Sequence, residues 1–238
     1  MSLLFRFLNP DLPEYAQQQK DDYAGTNLFA YCVNNPINNE DYEGFKYSPS
    51  KATDYAENWW CDYNTRYGRN PNGDCANFVS QCLYEGGLSK MTGAFKWGWH
   101  CYMNRNINVN GQRAITYDRS HAWAAAQNLY DWLKDNNHIS RQIIVRSKKN
   151  VDKVGKLLYK KSYCTAVIFF QNNRKKNINH SAISGQVIKG KNKYDVYYYA
   201  HSKKRNGKRF YGKVRKYYSL KDYLRNYKNG TIYVGFIK

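Results

Sequence analysis

The chain has 238 residues, 42% hydrophobic and 17% aromatic, enough to bury a core and to exclude a disordered chain. Its apolar runs, such as Thr165–Phe170, fall far short of the ~20 residues a membrane-crossing helix needs, so no transmembrane segment is expected. The start, MSLLFRFLNPDLPEY, lacks the basic leader of a signal peptide; the chain is expected to be cytoplasmic if expressed alone, and exported only by other means. The net charge of +20 is uneven: residues 1–44 carry two basic and seven acidic side chains, 45–140 ten and eight, and 141–238 26 and three. That final excess points to an anionic partner such as nucleic acid, acidic cell-wall polymer or membrane surface.

Six cysteines, Cys32, Cys61, Cys75, Cys82, Cys101 and Cys164, form no C-x-x-C pair. No histidine lies at zinc-finger spacing, so neither a metal nor a cofactor is expected, and most of these thiols are assigned to the core.

Turn-forming residues fill the first 50 positions, and a domain boundary is placed near Gly44–Phe45, giving segments 1–44 and 45–238. Ser48 and Pro49 open a first helix, with Ala52, Tyr55, Ala56, Trp59 and Trp60 at helical spacing. A turn, RYGRNPNG, leads to a second helix from about Cys75 to Tyr84, ended by Gly86-Gly87. No regular element is assigned between His100 and the third helix, SHAWAAAQNLYDWLKDN, which Ser120 caps. A short strand, RQIIV, and a lysine-rich amphipathic helix, SKKNVDKVGKLLYKK, follow. CTAVIFF, HSAISGQVI and DVYYYAHS then alternate as an antiparallel meander. SLKDYL has a start like a capping box, and TIYVGFIK closes the chain as a strand. Helices first and strands later predict an α+β domain, a helical N-terminal half packed on an antiparallel sheet.

Within this plan Cys75 stands out. It follows Asp74 at the first step of a helix, where unpaired N–H groups and the positive end of the helix dipole favour a thiolate and could receive an oxyanion. Cys82, two turns on, belongs to the core. A nucleophilic thiol needs a base and a group to orient that base. His180 opens one predicted strand and His201 ends the next. Antiparallel pairing then puts the two close together. The expected constellation is Cys75 as nucleophile, His180 as base and His201 as orienter of the His180 imidazole. His100, His121 and His138 are taken as structural or surface residues.

DCANFVSQCLYEGG is similar to the motif Asp-Cys-x-Asn-Phe-x-Ser-Gln of the Putative amidase family, within the papain-like cysteine hydrolases related to NlpC-type and CHAP-type peptidases. YAENWWCDYNTRYG, NHSAISGQV and YYYAHS occur in that family's order. The resemblance runs from about Phe45 to the end; it implies a papain-like fold, Cys75 as nucleophile, His180 as base and, by analogy with Cys-His-His enzymes, His201 as third member. RFLNPDLPEYAQQQKDDYAGTNLFAYCVNNPINNEDYEG resembles the end of an Rhs-repeat-associated core, which precedes variable C-terminal toxins. Together these imply a polymorphic toxin payload, secreted or delivered, with an immunity protein as partner.

The expected activity is hydrolysis of amide bonds through a thioester on Cys75, with peptidoglycan as substrate and anionic cell-wall polymer as the surface the basic segment holds. The alternatives are a peptidase or deamidase acting on an intracellular protein, or a non-catalytic nucleic-acid-binding module using the basic, tyrosine-rich stretch after Tyr197. Only three carboxylates follow residue 140, which disfavours a metal-dependent nuclease.

Overall fold

The structure, a computed structural model, describes residues 47–71, 73–88, 98–109, 112–160, 165–172, 175–191, 193–201, 218–226 and 230–237. The 1–44 segment, Cys32, Cys164 and the basic stretch 202–217 lie outside these. Among the described residues no helix is long and apolar enough to cross a membrane.

Helix α1 (Pro49–Trp59) begins as its sequence dictates: proline tolerates the first helical position, and the Ser48 hydroxyl accepts the Lys51 N–H. It buries Ala52, Tyr55 and Ala56. Helix α2 (Cys75–Glu85) has almost no solvent face, because Ala76 to Leu83 are all buried. Its polar side chains must therefore find partners inside the protein. Gln81 accepts from the Tyr55 hydroxyl at 2.7 Å, and Asn77 accepts from the Trp123 indole at 2.8 Å. Ser80 accepts from the Trp99 indole at 3.1 Å and donates to the Trp123 carbonyl at 3.0 Å. The helix ends in a Schellman turn: Leu88 N–H meets Leu83 C=O, Gly87 N–H meets Tyr84 C=O, and Gly87 takes φ +97°.

Two elements differ from the sequence expectation. The segment after His100 forms an antiparallel hairpin, β1 (Cys101–Val109) with β2 (Gln112–Arg119); the Asn-Gly pair between them is its sequence signal. The third helix is split into α3 (His121–Ala124) and α4 (Ala126–Asp135), with Ala125 extended between them. The Trp123 carbonyl takes the Ser80 hydroxyl instead of serving the helix ladder, which accounts for the break. Ser120 caps α3 as expected, accepting the Trp123 N–H.

The remaining elements are β3 (Ile139–Val145), α5 (Lys148–Tyr159), β4 (Ala166–Asn172), β5 (Asn177–Lys189), β6 (Tyr194–Tyr199), β7 (Tyr218–Ser219), α6 (Leu220–Asn226) and β8 (Thr231–Ile237). The expected meander β4-β5-β6 is present. The closing strand β8 enters between β3 and β4, giving a six-stranded antiparallel sheet of order β3-β8-β4-β5-β6-β7. Both faces are covered, so β4 is apolar on both sides rather than alternating. Val167, Phe169, Ile178, Ile183 and Tyr199 face the core shared with α1, α2 and α4. Ile168, Phe170, Ala182, Val196 and Tyr198 face the second core, beneath α5 and α6. The domain is α+β.

Candidate active site

Cys75 is the first residue of α2 and is half-buried. The residue before it, Asp74, stands at the N-cap, yet its carboxylate makes no capping hydrogen bond. The side chain is 4% exposed and is committed elsewhere. One oxygen accepts the Asn70 N–H at 2.6 Å and the Asn77 amide at 2.8 Å; the other meets His201 Nδ1 at 2.5 Å. The first-turn N–H groups of α2, around Cys75, are thus left without a side-chain cap, in the position where an anion is stabilised.

His201 is held on every side. Nδ1 faces Asp74, Nε2 faces the Trp59 carbonyl at 2.9 Å, and the ring lies on Phe78 with centroids 4.1 Å apart and planes at 21°. Tyr63 meets it edge-on at 5.0 Å. Both ring nitrogens have a polar partner. His201 therefore ties the end of β6 to the turn that delivers Cys75.

His180 lies elsewhere, on β5 opposite Phe170, with ring centroids 5.4 Å apart. Burial lowers its imidazole to a pKa of about 4, so the ring is neutral near pH 7, and none of the hydrogen bonds among the described residues involves its side chain. The expected pairing of His180 with His201 is not what the structure shows. Ile183 pairs with Tyr199 and Ser184 with Tyr198, and continuing that register sets His201 opposite Ser181. His180 is one residue out of step. Since side chains alternate between faces, an offset of one sends the two rings to opposite sides of the sheet. His180 joins Phe170 and Tyr198 beneath α6, and His201 joins Phe78 beneath α2. The carboxylate of Asp74, not the imidazole of His180, is the partner of His201.

Both histidines nonetheless line one cavity of about 1240 Å³, where the start of β5 meets the end of β6. Cys75, Asp74, His121, Gln127 and Asn177 line it together with Phe170, Tyr198, Asp222 and Tyr223. The cavity thus receives residues from both faces of the sheet. His121, assigned to surface or structure from the sequence, is exposed and contributes to the cavity wall. Cys82 is fully buried, and burial pushes its thiol well above the ordinary range. Cys61 is exposed and Cys101 buried. The contact between Asp74 and His201 had no signal in the sequence beyond the adjacency of Asp74 to Cys75, because the two partners are 127 positions apart.

The sequence matches the family described as Putative amidase domain over residues 46–233. It is also similar to the uncharacterized protein YhbB of Bacillus subtilis (strain 168), 24% identical over 151 residues. That alignment covers 63% of this chain and 44% of YhbB, so the chain spans less than half the length of that relative. No solved structure matches.

Proposed function

For a chain that belongs to the Putative amidase domain family, and so carries an amidase-like domain for an amide-containing substrate, we propose a cysteine-dependent hydrolase of papain-like type. Cys75 Sγ attacks the carbonyl carbon while its proton passes to the neutral His180 ring across the cavity they share. The tetrahedral oxyanion is received by the uncapped N–H groups at the start of α2. His180 returns the proton to the departing amine, leaving a thioester on Cys75. A water, deprotonated by His180, then releases the carboxylate and restores the thiol. His201 takes no proton in this scheme. It positions, holding Asp74 and thereby the first turn of α2.

The observation carrying this reading is that Cys75 begins a buried helix whose N-cap side chain is drawn away to His201, facing a cavity that His180 also lines. The finer reading is a bacterial toxin payload, released outside the producing cell and acting on peptidoglycan amide bonds. It rests on the resemblance of residues 1–44 to an Rhs-repeat-associated core and of the Cys motif to cell-wall peptidases. Release of dyed fragments from purified cell walls tests it: wild type should clear them, and Cys75→Ala and His180→Asn should not. Equal clearing by Cys75→Ala ends the cysteine mechanism. Toxicity confined to cytosolic expression would instead move the substrate to an intracellular protein.

A further inference from the structure

Away from the cavity, a one-sided positive charge lies along α5. Lys149, Lys153, Lys156 and Lys160 are all exposed. Their spacings of four, three and four align them on one stripe of the helix and its C-cap, about 16 Å long. The β5–β6 turn brings exposed Lys189, Lys191 and Lys193 beside it. That turn is packed on the helix: Tyr194 meets Tyr159 with centroids 5.7 Å apart, and Lys189 Nζ lies 5.1 Å over the Tyr159 ring.

The one carboxylate of α5 does not balance this charge. Asp152 is turned toward the body of the domain, where it accepts from Lys221 Nζ at 2.9 Å and from the Tyr194 N–H at 2.8 Å. Lys193 acts on Asp152 through its charge, but among the described residues none of the seven lysines comes within ion-pair distance of a carboxylate. A face that serves only solubility interleaves both signs. Here like charges recur one turn apart, which works against the helix, and the first turn contains lysines and no acid, against the helix dipole. Such a one-signed face attracts anions from outside the molecule.

We propose that the α5 stripe and the β5–β6 turn form a docking surface for a linear polyol-phosphate polymer, a chain of phosphodiesters without bases. Lysine ammonium groups are point charges that follow phosphate density and lack the planar fork of arginine. The one large exposed ring in the patch, Tyr159, is covered by Lys189 and flanked by Tyr194, so it offers no open platform for a base to stack on. The apolar side of α5 (Val151, Val154 and Leu158) is buried in the core, so the helix has nothing to insert into a bilayer. The surface covers the sheet face opposite α2, where a bound polymer leaves Cys75 clear. The inference does not depend on which bond the cavity cleaves.

The test measures retention of the full chain on immobilised poly(glycerol phosphate) across a salt series, beside single-stranded DNA and anionic phospholipid vesicles at equal phosphate. Affinity should fall steeply with salt. K149Q/K153Q/K156Q/K160Q should weaken binding more than tenfold, and the same four positions as arginine should restore it. A control of equal charge loss on other exposed positions, K51Q/K134Q/R141Q/K176Q, should lose less than threefold. Circular dichroism of each variant, with the arginine set as a folded reference, separates lost binding from lost structure. The proposal is overturned if the stripe variant binds as wild type does, if both quadruple variants lose equally, or if DNA or vesicles bind tenfold tighter than the polymer.

Discussion

Replacing Asp74 by alanine tests the lock beside Cys75 most directly. The substitution removes one carboxylate that takes three donors: the Asn70 N–H, the Asn77 amide and His201 Nδ1. Each hydrogen bond to a charged group contributes ~1.5–3 kcal/mol, but the three share one group and do not add. The better guide is the cost of leaving buried hydrogen-bonding groups without their partner, ~1–3 kcal/mol, since both Asp74 and His201 are about 5% exposed. For a domain of this size each kcal/mol moves Tm by ~2–4 °C, so a fall of about 6 °C is expected. Thermal unfolding followed by circular dichroism at pH 7, with a urea series to confirm two-state behaviour, reads it. Asp74→Asn keeps an oxygen for Asn70 and Asn77 and sets an amide N–H against Nδ1, so it should fall between alanine and wild type. A loss below ~1 kcal/mol for alanine, or none for asparagine, would show that the His201 contact does not hold the start of α2.

Other outcomes follow from the same geometry. Iodoacetamide should modify exposed Cys61 and half-buried Cys75 in the native protein and spare buried Cys82 and Cys101; native-state labelling of Cys82 at a rate like that of Cys75 would contradict the packing of α2. The folded pKa of His180, about 4, lies below its ordinary value of 6.5, so as pH falls the unfolded chain takes the proton first. The stability associated with a neutral His180 is complete above pH 6.5 and is lost progressively down to about 4, at no more than ~1.4 kcal/mol per pH unit. His180→Asn should flatten that part of the curve in urea unfolding at pH 7, 5.5 and 4.5, and unchanged slopes would refute the assigned burial. Gly155→Ala would drive a methyl group into Tyr194 Cβ between α5 and β6; an overpacking cost of ~1–3 kcal/mol should appear as a lowered urea midpoint, and a neutral result would mean α5 is not seated there.

Much of the architecture was legible because its signals are local. Ser48-Pro49, Ser120 and Gly87 act on backbone groups within a few residues, and their helices begin or end where such groups lack partners. The apolar run of β4 shows a strand buried on both sides. The hairpin β1–β2 had its Asn-Gly signal, but the flanking stretch is polar enough to resemble a loop. The break at Ala125 left no local trace, because its cause is a hydroxyl 43 positions away from Trp123.

The candidate site divides along the same line. The sequence by itself determined that Cys75 opens a helix and that His180 and His201 belong to neighbouring antiparallel strands, since periodicity and turn chemistry depend on near neighbours. It could not determine which way each ring points, because strand register decides that, and a shift of one residue exchanges the faces. Only the tertiary structure decided that His201 serves Asp74 rather than His180, and that the cavity at the sheet's end receives His180 on its own terms. The physical reason is that burial and pairing depend on what the rest of the chain brings against a residue, a property that no stretch of neighbouring letters contains.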